Sequence, residues 1–286
     1  LYPALIKHIS GVGDRPGLFS EITGALASIK QVEMVDQNPI GKSSRSNPVT
    51  YIKAWDSVRE LFSSQPLSKI RGYLPKHFSF NVDGGRCDTC KGEGEQIVEM
   101  QFLADVRLTC ESCNGKKFKD EVLEVQYKGK NIFEILELSV DEAIEFFKDE
   151  KDISTRLKPL SDVGLGYVKL GQSSGTLSGG EAQRVKLASF LGRGKNNTDK
   201  IMFIFDEPTS SMDARTEKTF IDSLRQQKID STLILITNRT SLLSLVDRVI
   251  VIDNGKIVGA GPTAAFLGAK IKPGEPQKAD ISALDK

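Results

Sequence analysis

The sequence predicts an α/β fold interrupted by a metal-binding module, and three observations carry that prediction. Leu177 to Leu191 reads LSGGEAQRVKLASFL, a glycine turn running into a helix. Ile201 to Phe205 is an unbroken apolar run that ends in Asp206, Glu207, Pro208 and Thr209. Four cysteines, Cys87, Cys90, Cys110 and Cys113, stand in the spacing C-x2-C-x19-C-x2-C. The rest of the composition is that of a water-soluble globular protein, 39% hydrophobic and 27% charged. At 286 residues the chain can bury one large core or two modest ones. No apolar run reaches membrane-spanning length and no secretory signal is present, so the cytoplasm is the expected location and no membrane partner is expected.

In the first stretch Val185, Leu187, Ala188 and Leu191 recur at helical spacing, which puts Ser178, Gly179, Gly180 and Glu181 where the helix begins. A helix N-terminus presents unpaired N–H groups and the positive end of a dipole, and it suits an anion such as phosphate. The two glycines let that anion approach the backbone. An ordinary serine-capped helix after a glycine turn accounts for the same five residues. The second stretch has the composition of a buried strand. Two adjacent carboxylates at its end are costly unless they bind a cation or do chemistry, and in P-loop nucleotide hydrolases a carboxylate there helps to hold Mg²⁺. Beyond come Ser210-Ser211-Met212-Asp213, a helical pattern from Arg215 to Gln227, and a second β-like run, Thr232 to Thr237. Taken in this order, the blocks resemble the ATP-binding-cassette (ABC) ATPases. The resemblance implies an ABC-type P-loop ATPase core.

Upstream, Gly11 to Leu26 holds a Gly/Pro turn followed by Ile22, Leu26 and Ile29 on one face, a helix-and-turn connection. The DRPGLFSEI run within it also looks like the start of an ACT-type regulatory module, which needs roughly twice this length. Gly41-Lys42-Ser43 is not a Walker A loop: that motif needs glycine at position 36, where Asp36 stands, and Pro39 stiffens the segment. No Walker A sequence occurs anywhere, so the core is incomplete and little or no ATPase activity is expected of this chain by itself. Between Lys42 and Lys76 seven basic residues face two acidic ones, interleaved with Tyr51, Trp55, Phe62 and Tyr73. Such a pattern suits a nucleic-acid surface, with Lys42, Arg45, Lys69 and Arg71 as candidate DNA contacts. It equally suits an amphipathic helix with Trp55, Val58, Leu61 and Phe62 inward and a solvated basic face.

Each cysteine pair puts two sulfurs on one tight turn, and two such knuckles complete a tetrahedron around zinc. Both pairs lead into glycine, at Gly92 and Gly94 and at Gly115, and Ile97 to Leu108 alternates like a hairpin. Disulfides are disfavoured without an export signal, and a redox CxxC would not occur twice at this distance. With all four positions filled by protein, the expected Zn²⁺ is structural. Val122 to Tyr127 then predicts a strand, Gly129 a turn, and Ile132 to Phe147 helical segments with Asp141, Glu142 and Glu145 on a solvated face. Val249 to Asp253, Asn254-Gly255 and Lys256 to Gly259 predict a closing hairpin. Residues 268–286 have the composition of a disordered tail.

Longer blocks narrow the family. VDQNPIGKSSRSNPVTY, FSFNVDGGRCDTCKGEGE, VLEVQYKGKNI, VGLGYVKLGQ and LSGGEAQRVKLA resemble the second half of the UvrA family of excinuclease subunits, over residues 1–195. The resemblance implies Gln37 in the Q-loop, Ser178 to Glu181 as the signature, the four cysteines as zinc ligands, Asp206 as Mg²⁺ partner, Glu207 as general base and Asp213 in the D-loop. Leu1-Tyr2-Pro3 looks like the part just after a Walker A loop, which places the missing loop upstream. At Asn238 ABC ATPases usually carry a histidine that contacts the γ-phosphate; asparagine can donate a hydrogen bond but carries no proton charge, which weakens hydrolysis. SSMDARTEKTF and STLILITNRTSLLSLVDRVIVIDNGKIVGAGP look more like the ATPase of a type I secretion exporter. The organisation read from these blocks is a partial core with its Q-loop at 1–41, a signature and insertion region at 42–156 with the zinc module at about 77–120, the rest of the core at 157–267 and a tail at 268–286. The implied function is ATP-dependent recognition of DNA damage in nucleotide excision repair. ATP would be held between two cassettes, in one longer protein or a homodimer, and duplex DNA and the excinuclease subunit UvrB would be partners. The alternatives are the nucleotide-binding subunit of an exporter and a non-enzymatic, zinc-dependent DNA-binding module.

Overall fold

A computed structural model describes residues 1–41, 45–98, 100, 106–192, 201–226 and 232–266. In chain order the first elements are α1 (Tyr2–Ser10), β1 (Gln31–Val35), α2 (Pro48–Tyr51), α3 (Ala54–Ser63), α4 (Pro66–Arg71), β2 (Glu95–Val98), β3 (Val106–Thr109), α5 (Asp120–Leu123), β4 (Gln126–Tyr127) and β5 (Lys130–Asn131). They continue with α6 (Ile132–Leu136), α7 (Val140–Phe146), α8 (Lys151–Asp162), α9 (Gly179–Leu191), β6 (Ile201–Asp206), α10 (Ala214–Gln226), β7 (Thr232–Ile236), β8 (Arg248–Asp253) and β9 (Lys256–Pro262). The chain divides into two compact units, one of Leu1–Asp36, Lys195–Ser210 and Phe220–Lys286, the other of Gln37–Gly194 and Ser211–Thr219.

The first unit is built on a parallel sheet in the order β1-β6-β7, with Val32 opposite Met202 and Phe203 opposite Leu233. A central parallel strand is covered on both faces, which is why β6 is apolar without alternation. Leu5 of α1 meets Val32 and Ile204 on that sheet, with Leu26 and Ile29 packed beside them. Helix α1 has Pro3 in its first turn and stops at Gly11, whose φ of 72° makes a left-handed cap. The Gly/Pro-rich connection behind it forms only one 3₁₀ turn, Leu26–Ser28. Strands β8 and β9 make the expected hairpin; Asn254 and Gly255, at φ 48° and 75°, supply the two left-handed residues of its turn.

In the second unit Trp55, Val58 and Phe62 of α3 are buried. Trp55 packs against Phe80 at 5.8 Å between ring centroids, and Phe62 against Phe78 at 5.6 Å. Helices α6 and α7 start with capping boxes, Asn131 with Glu134 and Ser139 with Glu142, so Glu142, on a solvated face as expected, also closes a helix end. The strand expected over Val122 to Tyr127 is instead the short helix α5 followed by the two-residue β4. Asp120 and Glu121 favour a helix start, and Val122, Leu123 and Val125 are buried without alternation. Helix α9 is not amphipathic: Gln183 and Phe190 are buried along with Val185, Leu187, Ala188 and Leu191. It packs against α2 and α8 and lies in the same unit as the cysteine module. The tail expected at 268–286 lies outside the described residues. Among the described residues no helix is long and apolar enough to cross a membrane.

Candidate functional site

The cysteines sit on two knuckles of matching construction. After Cys90 the chain reverses through Lys91 (φ 51°) and Gly92 (φ 87°), and after Cys113 through Asn114 (φ 47°) and Gly115 (φ 78°). A Cβ at Gly92 would lie 2.1 Å from the Phe80 carbonyl oxygen, so this position admits glycine alone. The knuckles are laced together: Cys87 N–H donates to Lys117 O at 2.8 Å, Cys110 N–H to Gly94 O at 2.9 Å, and Thr89 Oγ1 to Ser112 Oγ at 2.9 Å. The Gly94 N–H points at Cys90 Sγ at 3.2 Å. β2 and β3 rise from this base as an antiparallel pair with Val98 opposite Val106.

All four thiols are free and buried, and their sulfurs lie within 4.8 Å of one another. Cys87 and Cys110 are 4.0 Å apart and Cys90 and Cys113 3.7 Å. Tetrahedral zinc with bonds of about 2.3 Å requires about 3.8 Å between sulfurs, whereas a disulfide needs about 2.05 Å. Burial, and after it the neighbouring thiols, push Cys113 up to about 12 against the opposing backbone N–H of Lys117. Burial also opposes ionisation of Cys110, but the N–H groups of Cys113 and Ser112 and the nearby thiols bring it down to about 7. Four sulfurs so placed share one negative charge poorly, and a thiophilic dication is the partner that lets all of them ionise. The donor set fits zinc.

A second cluster surrounds the start of α9. Ser178 is its N-cap: its N–H and Oγ–H donate to Glu181 Oε2 at 2.8 and 2.9 Å, and its Oγ accepts from Glu181 N at 3.3 Å. The Tyr167 hydroxyl donates to the other carboxylate oxygen. Burial by itself would raise the Glu181 carboxylate, but the hydrogen bonds from Tyr167 and Ser178 hold it below its usual range. Gly179 lies against Gln37, 3.2 Å from where its Cβ would be, and Gly180 lies against Ser211, 2.7 Å from its own. Asp213 caps α10 by accepting from Thr216 N at 2.8 Å. Gly180→Ala is therefore expected to destabilise the second unit by about 1–3 kcal/mol. In a Ser211→Gly background, where the clash is gone, the same change should be neutral or stabilising. Denaturant unfolding of the four-member cycle checks this.

The third cluster belongs to the first unit. β6 delivers Asp206, half-buried, and Glu207, whose φ of 46° is left-handed, a conformation that costs about 1–3 kcal/mol in a non-glycine residue. Glu207 N–H donates to Ile236 O at 2.8 Å, and its carboxylate accepts from Asn238 N–H at 3.1 Å and from the Thr237 hydroxyl at 3.3 Å. Of the candidate DNA contacts, Lys69 and Arg71 share the last turn of α4 and Arg45 precedes α2. Arg45 is 3.9 Å from Glu93, Arg71 is bound to Glu124 and to Glu121 O, and Lys69 is exposed in the last turn of α4. Lys42 lies outside the described residues.

No protein-family model matches the sequence. UvrABC system protein A of Clostridium tetani is 45% identical over 269 residues, covering 91% of this chain. The same protein of Aquifex aeolicus is 46% identical over 252 residues, covering 87%. The crystal structure of UvrA2 from Deinococcus radiodurans matches with a TM-score of 0.68 at 42% identity over 80% of the chain.

The chain is UvrA-like.

It spans 28% and 27% of the two curated relatives and 27% of the solved UvrA2 chain. The fold of the UvrA-like chain is thus the ABC ATPase type. With 91% of the chain matched, the likeness extends past the 195 residues whose blocks carry it most plainly and into the third with exporter-like motifs. The structure gathers the four cysteines, sets Gln37 beside Gly179, and joins Glu207 to the backbone of Asn238. Sequence reasoning missed Thr237, Tyr167 and Ser211. Each neighbours a motif in the chain or in space, but only the tertiary hydrogen bonds and the close approach at Gly180 single them out.

Proposed function

We propose that this UvrA-like chain is part of an ATP-driven protein that recognises DNA damage in nucleotide excision repair. A zinc-clamped module grips duplex DNA, and the ABC-type core repositions it. One observation carries this reading: the tetrathiol cluster and the signature helix α9 lie in one compact unit, so a force applied at the signature reaches the module without crossing a flexible linker. The likeness to UvrABC system protein A supports it.

In this scheme Cys87, Cys90, Cys110 and Cys113 hold a structural Zn²⁺ that supplies folding energy to the module. Ser178 and Gly180, in the signature Ser178 to Glu181, contact the γ-phosphate of ATP bound on a second cassette, in the same longer protein or a second copy, and Gln37 belongs to the Q-loop. Asp206 would hold Mg²⁺, and Glu207 takes the proton of the attacking water. Asp213 lies in the D-loop and caps α10 by accepting from Thr216 N–H. Turnover requires a phosphate-binding loop, which this sequence lacks, and Asn238 in place of histidine slows it. UvrB is the protein partner and the cytoplasm the location.

Lys42, Arg45, Lys69 and Arg71 contact DNA phosphates, with Arg45 and Arg71 exchanging their carboxylate partners for them. Four such contacts predict a slope of log affinity against log salt of about −3.6, so binding weakens about a hundredfold between 50 and 200 mM salt. Lys69→Ala should reduce the slope by about 0.9. Fluorescence anisotropy with a labelled duplex measures both. An exporter subunit would show no duplex binding at low salt, and that result refutes the proposal.

A further inference from the structure

Two loops at the carboxyl ends of β6 and β7 are stitched around Glu207. Its N–H reaches Ile236 O at 2.8 Å, and its two carboxylate oxygens take different donors, Asn238 N–H at 3.1 Å and Thr237 Oγ1 at 3.3 Å. Arg239 adds a fourth tie, from Nη2 to Ser210 O at 3.4 Å. Arg239 N–H donates to Thr237 Oγ1 at 3.0 Å. A hydroxyl has one proton and two lone pairs. With a lone pair of Thr237 taken by Arg239 N–H, its proton is directed at the Glu207 carboxylate.

Asn238 meets Glu207 through its main-chain N–H, a contact that any residue but proline provides at this position. Thr237 meets it through its side chain. We propose that Thr237 is the positioning residue for Glu207, holding the carboxylate in the rotamer that faces the attacking water. This rests on the proposed role of Glu207 as general base. In the hydrolytic step the water oxygen bonds to the terminal phosphorus while one water proton passes to Glu207. The bond from that phosphorus to the bridging oxygen breaks, and its electron pair leaves with ADP. The hydroxyl of Thr237 keeps the receiving oxygen in line and itself exchanges no proton.

The test compares Thr237→Val, which keeps the shape and loses the hydroxyl, with Thr237→Ser, which keeps the hydroxyl. Steady-state ATP hydrolysis and nucleotide affinity are measured in a longer protein that contains this segment and a phosphate-binding loop. Amide hydrogen exchange at Arg239 is measured in the chain itself. The proposal expects Thr237→Val to lower kcat on the order of tenfold with nucleotide affinity unchanged, and to speed exchange at Arg239. Thr237→Ser should stay within about twofold of the parent on both readouts. Equal kcat in Thr237→Val and the parent overturns the proposal, and so does a loss in Thr237→Ser as large as in Thr237→Val. A parent that binds DNA and nucleotide but does not hydrolyse also overturns it and leaves the DNA-binding function standing. A kcat-only loss rescued by serine in a protein that ignores duplex DNA upholds it and refutes the repair reading.

Discussion

Replacing Cys110 with serine is expected to abolish the proposed zinc binding and to unfold the segment from Arg86 to Phe118. Cys110 is fully buried, its N–H is bonded to Gly94 O, and its sulfur is 4.0 Å from that of Cys87. The segment is closed on itself by the bridge between Arg86 and Phe118, and its core is the sulfur cluster. Such a core is too small to fold by hydrophobic burial, so in the proposed reading zinc supplies the stability. In small zinc modules that contribution is about 10–16 kcal/mol at neutral pH, and loss of one ligand in four should remove more than about 3 kcal/mol of it. Metal analysis and near-ultraviolet circular dichroism of Cys110→Ser give the answer. A variant that keeps the parent's metal content and signal contradicts the assignment.

Gly92→Ala produces a loss of similar size by a different route. The Cβ would sit 2.1 Å from a main-chain oxygen, Phe80 O, which cannot swing aside as a side chain can, and φ at this position is 87°. The expected cost is about 3–5 kcal/mol, seen as failure to form the module even at saturating zinc. Gly115→Ala is the matched control. It shares a left-handed φ of 78°, but its nearest neighbour is the Thr109 methyl at 3.4 Å. That variant should lose only the conformational penalty of about 1–2 kcal/mol. Denaturant titrations of both variants in excess zinc separate clash from strain, and equal losses would refute the distinction.

The contrast between these two glycines shows where the sequence is readable. The pairs CDTC and CESC announce a four-sulfur cluster because each pair sets two thiols on one turn within four residues. The apolar run of β6 and the capping box of Ser178 and Glu181 are local for the same reason. What Gly92 avoids is an oxygen twelve residues back in the chain, and no local pattern encodes it. Val122 was misread because alternation cannot distinguish a short buried helix from a strand when the acidic residues before it set the helix start. In α9 the apolar residues at helical spacing are buried, but burial of the polar Gln183 has no local signal. The basic stretch from Lys42 to Lys76 shows the same limit. Charge counting reads an excess of positive residues, whereas in space Arg45, Arg59, Arg71 and Glu93, Asp56, Glu124 form ion pairs. Of the four residues expected inward, Trp55, Val58 and Phe62 are buried and Leu61 is partly buried, because residues at helical spacing bury one face whatever lies beyond.

The most direct measurement is zinc content together with duplex DNA affinity on one preparation, before and after stripping with a strong chelator. A metal-clamped, DNA-gripping module predicts about one zinc per chain, loss of the folded module and of DNA binding on stripping, and recovery of both when zinc is returned. A chain that stays folded and binds duplex DNA equally well after stripping contradicts it.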